Sequence, residues 1–361
     1  MRNHSEQRRS LSGGRLGAAI ALLLLLAAAG ALIWVRPSSD PGDGKGDYPY
    51  VTRTENGLPV FDVTVFHAPS YSVWLPTLIH VRGIDRQHGF KLTLTEKPGQ
   101  SAYADLASGA DYACLCIAPT TFTSFVEQGA DVTLLFNVYS YTNLVAVTDP
   151  AIRSAHDLTG RTIATNTSTG QWAVARFLLA QSGLDLDKAN ILSSAGAGAA
   201  VAELAAHRVD AILPGPVEIA SLSQQTKDFR VFSIFDQAAW HRVAPDRGIP
   251  NVLLGVQTRW WSRPENKALA ARFYEAIIEA SNWAKDHPAE AAKIIGDNTD
   301  MPEAAVAYAL EHFPEIIQIG PASEFKASIA FITQRLMPEQ GSLQRPLTNE
   351  EVDAYVSDFR L

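Results

Sequence analysis

Between Arg161 and Gly183 the chain reads RTIATNTSTGQWAVARFLLAQSG, and its centre is a run of small donor-bearing residues, Asn166-Thr167-Ser168-Thr169-Gly170. Side-chain hydroxyls, an amide and free backbone N–H groups at that density can hold an anionic or polar small molecule. The plainer role is helix capping by Ser168 and Thr169, which asks for no ligand. A second glycine-containing loop, Ala195-Gly196-Ala197-Gly198, lacks the spacing of a phosphate cradle and suits close backbone approach. Catalytic sets are missing: the chain contains no G-x-S-x-G, H-E-x-x-H, Walker A or C-x-x-C pattern. The nine histidines are scattered, so no metal site and no cofactor is expected.

Cys114 and Cys116 lie in Tyr112-Ala113-Cys114-Leu115-Cys116-Ile117, a strand candidate in which both thiols share a face. An extended backbone holds such a pair near the upper limit of disulfide reach, so they read as buried free thiols.

The elements that must position the donor loop follow from local pattern. Arg161 to Thr165 is a β-branched strand, Trp172 to Gln181 has helical apolar spacing, and Gly183 stands at a C-cap position. Strand and helix segments alternate from Phe61 to Val138, which implies a largely parallel sheet with helices on both faces. Asn143 to Thr148 begins a second lobe, where the alternation restarts, and Val252 to Gln257 crosses back. The remainder is helical, with Pro264, Pro288 and Pro302 at helix starts. The expected organisation is a lobe of residues 59–142 and 258–361 and a second of residues 143–257. In such folds ligands sit at the carboxyl ends of strands. The strand-end loops therefore supply the candidate ligand set: Ser70, Tyr71, Trp74, Ser101, Thr120 and Thr121 from the first lobe, and Tyr141 from the crossing. The second lobe adds Asn166, Ser168, Thr169, Gly170, Trp172, Gly196 and Glu218. No catalytic residue is assigned.

The chain has 361 residues, 47% of them hydrophobic, enough for two lobes. Its net charge is −8 and no basic run interleaves with aromatics beyond the N-terminus, which excludes nucleic-acid binding. Arg2, Arg8, Arg9 and Arg15 precede an apolar run from Leu16 to Val35, closed by Arg36-Pro37. A bilayer takes about 20 apolar residues, and basic flanks stay in the cytoplasm. Export follows, with an uncleaved anchor favoured over a cleaved signal peptide. Pro37 to Gly57 reads as a flexible linker within residues 36–58.

The motifs occur in the order seen in one family. Val63 to Pro69, Gly83 to Phe90, Leu106 to Ala113, Asp157-Leu158-Thr159-Gly160-Arg161 and Leu204 to Ala211 resemble the substrate-binding proteins of ABC importers, of the nitrate/sulfonate/taurine type that includes thiamine-precursor binders. The resemblance spans roughly Phe61 to Ile295. It implies an α/β, two-lobed periplasmic-binding-protein-like fold with two hinge crossings, preceded by the N-terminal hydrophobic helix. It also implies binding at the loop after the first strand, at Thr165–Trp172 and at Leu213–Glu218. Where relatives carry Glu-Pro, this chain reads Leu213-Pro214-Gly215-Pro216-Val217-Glu218, which puts Glu218 in doubt. The expected protein is a non-enzymatic monomer outside the cytoplasmic membrane, partnered by an ABC permease and its ATPase. It would carry a sulfonate-, nitrate-, taurine- or pyrimidine-like solute. The alternatives are a relative of pyrimidine- or menaquinone-pathway enzymes and a tethered ligand sensor.

Overall fold

Asn56-Gly57 is a two-residue turn with positive φ at both positions, 53° and 80°, and it closes a hairpin between β1 (Thr54–Glu55) and β2 (Leu58–Phe66). The last residues of the expected linker are therefore strand and turn, because Asn-Gly is the preferred pair for a type I′ hairpin. The computed structural model describes residues 53–359 except 168, 195, 196, 247, 342 and 358. The apolar run Leu16–Val35, Ser168 and Gly196 lie outside the described residues, in which no helix is long and apolar enough to cross a membrane.

The first sheet is completed by β3 (Lys91–Lys97), β4 (Ala113–Ile117) and β5 (Val132–Ser140), then by the late strands β11 (Pro250–Gln257) and β12 (Ile317–Pro321). Its order is β1-β2-β4-β11-β5-β12, with β3 on β2. The second sheet holds β6 (Leu144–Val147), β7 (Thr162–Thr165), β8 (Asn190–Ser193), β9 (Ala211–Ile212) and β10 (Arg230–Ser233) in the order β10-β6-β9-β7-β8. Pairings of β2 with β3 and of β7 with β8 and β9 are parallel, as the alternation predicts. The sheets are nonetheless mixed. The strand β11 runs antiparallel to β4 and β5, and β6 is antiparallel to β9 and β10. A strand that returns from the other lobe enters its sheet from the opposite end, and local periodicity does not encode that direction. The return crossing accordingly falls before Pro250, since the whole of β11 belongs to the first sheet.

Cys114 and Cys116 are joined in a disulfide, which corrects the expectation of free thiols. Leu253 faces Ile117 and Leu254 faces Leu115, so Cys116 is an unpaired bulge residue. The bulge contracts the strand and brings the two Cα atoms to 5.3 Å, well inside disulfide reach.

Helices pack on both sheets: α1 (Trp74–Arg82), α2 (Gly99–Ser108), α3 (Pro119–Glu127), α4 (Gly170–Gln181), α5 (Ala197–Ala205), α6 (Pro216–Gln225), α7 (Pro264–Asp286), α8 (Pro288–Asn298), α9 (Glu303–His312) and α10 (Asn349–Tyr355). Helix α7 buries Leu269, Phe273, Ala276, Ile277, Ala280 and Ala284, the three- and four-residue spacing of one apolar face. Phe273 meets Phe61 edge-on at 5.0 Å, and Phe61 stacks on Trp260 at 5.4 Å, giving the first lobe its core.

Helices α7 and α8 pack on the first lobe, α9 also meets α6 of the second, and the final segment reaches further across. Residues 322–356 join a core that also holds Phe122 and Phe125 of the first lobe and Phe177 and Trp240 of the second. Phe331 lies 5.1 Å from Phe177 and 5.5 Å from Trp240, and Trp240 Nε1 donates to Ser328 Oγ at 3.0 Å. The C-terminal segment thus spans both lobes rather than the first alone.

Within that segment Arg345 holds Glu351 through two guanidinium contacts, one of 2.8 Å, and Thr348 N–H adds a third. Arg345 first, then the Thr348 N–H, depress the Glu351 carboxyl from an ordinary 4.5 to about 2. A depressed folded-state value means stability present above the unfolded value and lost as pH falls. Acid titration of the melting temperature should therefore show a loss between about pH 4.5 and 2 that Glu351→Gln abolishes. Identical acid limbs in both proteins would rule out this contribution.

Candidate functional site

Two chain crossings join the lobes, and Tyr141 N–H donates to Ile249 carbonyl O between them at 3.0 Å. Asn143, at the start of the second lobe, has φ 49°, a left-handed conformation that asparagine tolerates better than most residues. Beside these crossings a cavity of about 460 Å³ opens between the lobes. That size suits a small organic molecule.

The first lobe contributes three strand ends. After β2, Pro69, Ser70 and Tyr71 form one wall, and Ser70 Oγ lies 2.9 Å from Ser72 Oγ, which accepts from Phe66 N–H at 3.0 Å. Gln100 and Tyr103, on successive turns of α2, form a second. After β4, Ala118, Thr120 and Thr121 form a third, with Thr121 Oγ1 exchanging hydrogen bonds with the Ala118 backbone at 3.0 and 3.2 Å. Ser140 at the end of β5, Tyr141 and Thr142 of the first crossing, and Asn251 and Val252 at the start of β11, just past the second, close the hinge side.

The second lobe faces these walls with two helix starts. At α4, Thr169 is the N-cap: its Oγ1 accepts from Trp172 N–H at 3.3 Å and donates to Asn166 carbonyl O at 2.8 Å. At α6, Glu218 occupies the third helical position and accepts from Gly215 N–H at 3.0 Å, the reciprocal half of a capping box. Burial raises the Glu218 carboxyl above its ordinary value, against the pull of its own N–H and that of Gly215. A smaller chamber of about 130 Å³ lies beside it, lined by Thr165, Asn166, Ser194 and Pro214 among others. The two spaces share Thr169, Gln171, Leu213 and Glu218.

The lobes meet across the cavity at two glycines. A Cβ on Gly170 would lie 1.9 Å from Thr120 Oγ1, and one on Gly215 would lie 2.4 Å from the Tyr71 hydroxyl. Val217 N–H hydrogen-bonds to that hydroxyl. Burial, then the Glu218 charge, push Tyr71 well above the usual tyrosine value, and burial raises Tyr141 and Tyr103, so all three present neutral hydroxyls.

Of the residues singled out by sequence, Ser70, Tyr71, Thr120, Thr121, Tyr141, Thr169, Gly170 and Glu218 line the larger cavity, and Asn166 lines the smaller. Three stand elsewhere. Trp74 is 0% exposed in the first-lobe core, edge-on to Tyr71 at 5.0 Å. Ser101 is on the exposed side of α2, one residue past Gln100, because a helix turns neighbours about 100° apart. Trp172 is half-buried against the shared core of α4. Sequence reasoning passed over Tyr103, Cys116, Asn251, Val252 and Met301. Tyr103 was reachable from its three-residue offset to Gln100, whereas Met301 arrives from a distant loop with no local signal.

Two mixed sheets, two crossings and a cavity at the strand ends define a periplasmic-binding-protein-like α/β fold. The NMT1/THI5-like family model matches residues 83–291, more than half of the chain, and the chain belongs to that family. No curated protein matches significantly. Among solved structures, the chain is similar to the periplasmic aliphatic sulphonate binding protein SsuA of Escherichia coli, at TM-score 0.66 and 14% identity over 83% of this chain and 92% of that one. It is also similar to the alkanesulfonate-binding protein SsuA of Xanthomonas axonopodis pv. citri bound to MOPS, at TM-score 0.60 and 19% identity over 82% and 98%. The desulfurization enzyme DSZB shares the fold at TM-score 0.53 and 16% identity over 81% and 96%.

Proposed function

We propose that this protein is the extracytoplasmic solute-binding component of an ABC importer. It captures a small polar organic or anionic solute, of sulfonate, nitrate, taurine or pyrimidine kind, between its lobes and delivers it to a permease. The observation that carries this reading is a cavity walled by strand-end loops of both lobes, with the hinge crossings at its side. Contacts contributed by both lobes favour the closed state, and the permease recognises closure. The periplasmic proteins of like fold support this location, and the Leu16–Val35 run supplies an anchor or an export signal. An enzymatic role like that of the desulfurization enzyme finds less support. The described lining contains no histidine, lysine or arginine, a single carboxylate, and one cysteine held in a disulfide, so it offers no nucleophile–base pair.

Native mass spectrometry of the full-length chain, purified without refolding, tests the reading. The expected result is an added small-molecule mass that is lost on denaturation. A bare mass, together with no rise in melting temperature across a panel of sulfonates, nitrate and pyrimidines, would remove the solute-binding assignment.

A further inference from the structure

The charge lining the cavity does not suit a sulfonate. Among its described lining residues the only ionisable charge is the Glu218 carboxylate, and neither space has a lysine, arginine or histidine in its wall. No ion pair to Glu218 exists among the described residues either, and burial without a counter-cation is what raises its carboxyl. The nearby cation Lys97 is outside the lining and holds both Asp105 and Asp111 at 2.7 Å.

Helix N-termini pointing into a cleft would ordinarily favour an anion. Here the α6 terminus carries its own carboxylate, and at α4 one N–H of the first turn is already capped. Thr169 takes the Trp172 N–H of α4, and Glu218 itself takes the Gly215 N–H of α6. The partial positive charge of the α6 terminus, about +0.5, is outweighed by the full negative charge on its third residue. Val217 N–H is likewise given to Tyr71. What remains around Glu218 is neutral: tyrosine hydroxyls, threonine hydroxyls and the amide of Gln171.

Resting on the solute-binding reading above, we propose that the solute carries an uncharged or cationic N–H donor group seated against Glu218, where the two chambers meet, and that organic sulfonates are excluded. A donor group completes the hydrogen bonding of a carboxylate that has no cation. A sulfonate would bring a second negative charge into the same water-poor space.

Three ligands with one ring and different head groups separate these cases: benzamidine, benzamide and benzenesulfonate. Each is titrated by calorimetry into the full-length chain and into its Glu218→Gln variant, with small-angle scattering to follow lobe closure. Benzamidine and benzamide should bind the native chain at least about 10-fold more tightly than benzenesulfonate. Glu218→Gln should weaken benzamidine by about 10-fold or more and narrow the gap to benzenesulfonate. Benzenesulfonate binding that closes the lobes as tightly as benzamidine would overturn the inference and leave the solute-binding reading in place. An unchanged benzamidine-to-benzenesulfonate ratio in the variant would overturn it too. Binding by none of the three also overturns it, and takes the solute-binding reading with it only if the native mass is bare.

Discussion

Replacing Gly170 by alanine should abolish lobe closure while leaving the fold intact. The added Cβ would stand 1.9 Å from Thr120 Oγ1 and 2.7 Å from Thr120 Cβ, and 3.1 Å from the Tyr141 hydroxyl. The threonine Cβ is fixed to the backbone of α3, so rotating the hydroxyl away relieves only part of the clash. Gly170 opens α4 with no positive φ, so alanine fits the backbone and, in a helix, is favoured over glycine by up to about 1 kcal/mol. The open form therefore keeps or slightly gains stability, and the cost falls on the closed form alone. Losing the contacts of one lobe should weaken affinity for the solute recovered from the native protein by about 100-fold, roughly 3 kcal/mol. Calorimetry measures this, and small-angle scattering with solute present should retain the larger radius of the open form. The second-site change Thr120→Gly removes both offending atoms and should restore closure. Native affinity in Gly170→Ala would mean that the lobes do not meet here in the bound state.

The largest loss of stability is expected at Trp240, which lies in the second lobe and is 1% exposed. Its ring packs against Phe331 at 5.5 Å, Phe235 at 6.2 Å and Phe177 at 6.4 Å, and its Nε1 donates to Ser328 Oγ. Trp240→Ala should cost about 3–5 kcal/mol, the usual range for a buried tryptophan truncated to alanine. For a chain of this size that is a fall of about 4–7 °C in melting temperature. Because Phe331 and Ser328 belong to the segment that spans both lobes, the same change should loosen the C-terminal residues and expose them to protease. Ser328→Ala separates packing from hydrogen bonding. It leaves the indole in place, deletes the acceptor together with the Ser328 hydroxyl bond to Gly248 carbonyl O, and should cost about 1–3 kcal/mol. Equal effects of the two substitutions would show that the hydrogen bonds, not the aromatic cluster, hold the segment.

Local pattern carried most of the elements and about half of the logic of the site. The alternation from Phe61 onward specified strands and helices because burial on one face imposes its period on the sequence, and the strand-end rule then pointed to Tyr71, Thr120, Thr169 and Glu218. The rule cannot say which side of each helix start faces the cleft, so it marks Ser101 and Trp74 together with the lining residues Gln100 and Tyr71. Glu218 was doubted on comparison with relatives, yet its third-position spacing from Gly215 is a capping signature legible in the chain. The Asn56-Gly57 hairpin was equally legible.

Other features were settled by partners far away in the chain. The direction of β11, the bulge at Cys116 and the disulfide it permits arise only when β11 inserts between β4 and β5. The sequence by itself determined an α/β chain of two lobes with polar loops at its strand ends, because period, capping and turn chemistry act within a few residues. Only the tertiary structure decided that Gly170 and Gly215 are points of contact between lobes, that the last segment spans both, and that the described lining of the cavity holds one carboxylate and no cation. Those facts depend on distances between residues separated by dozens to hundreds of positions, and no local preference encodes them.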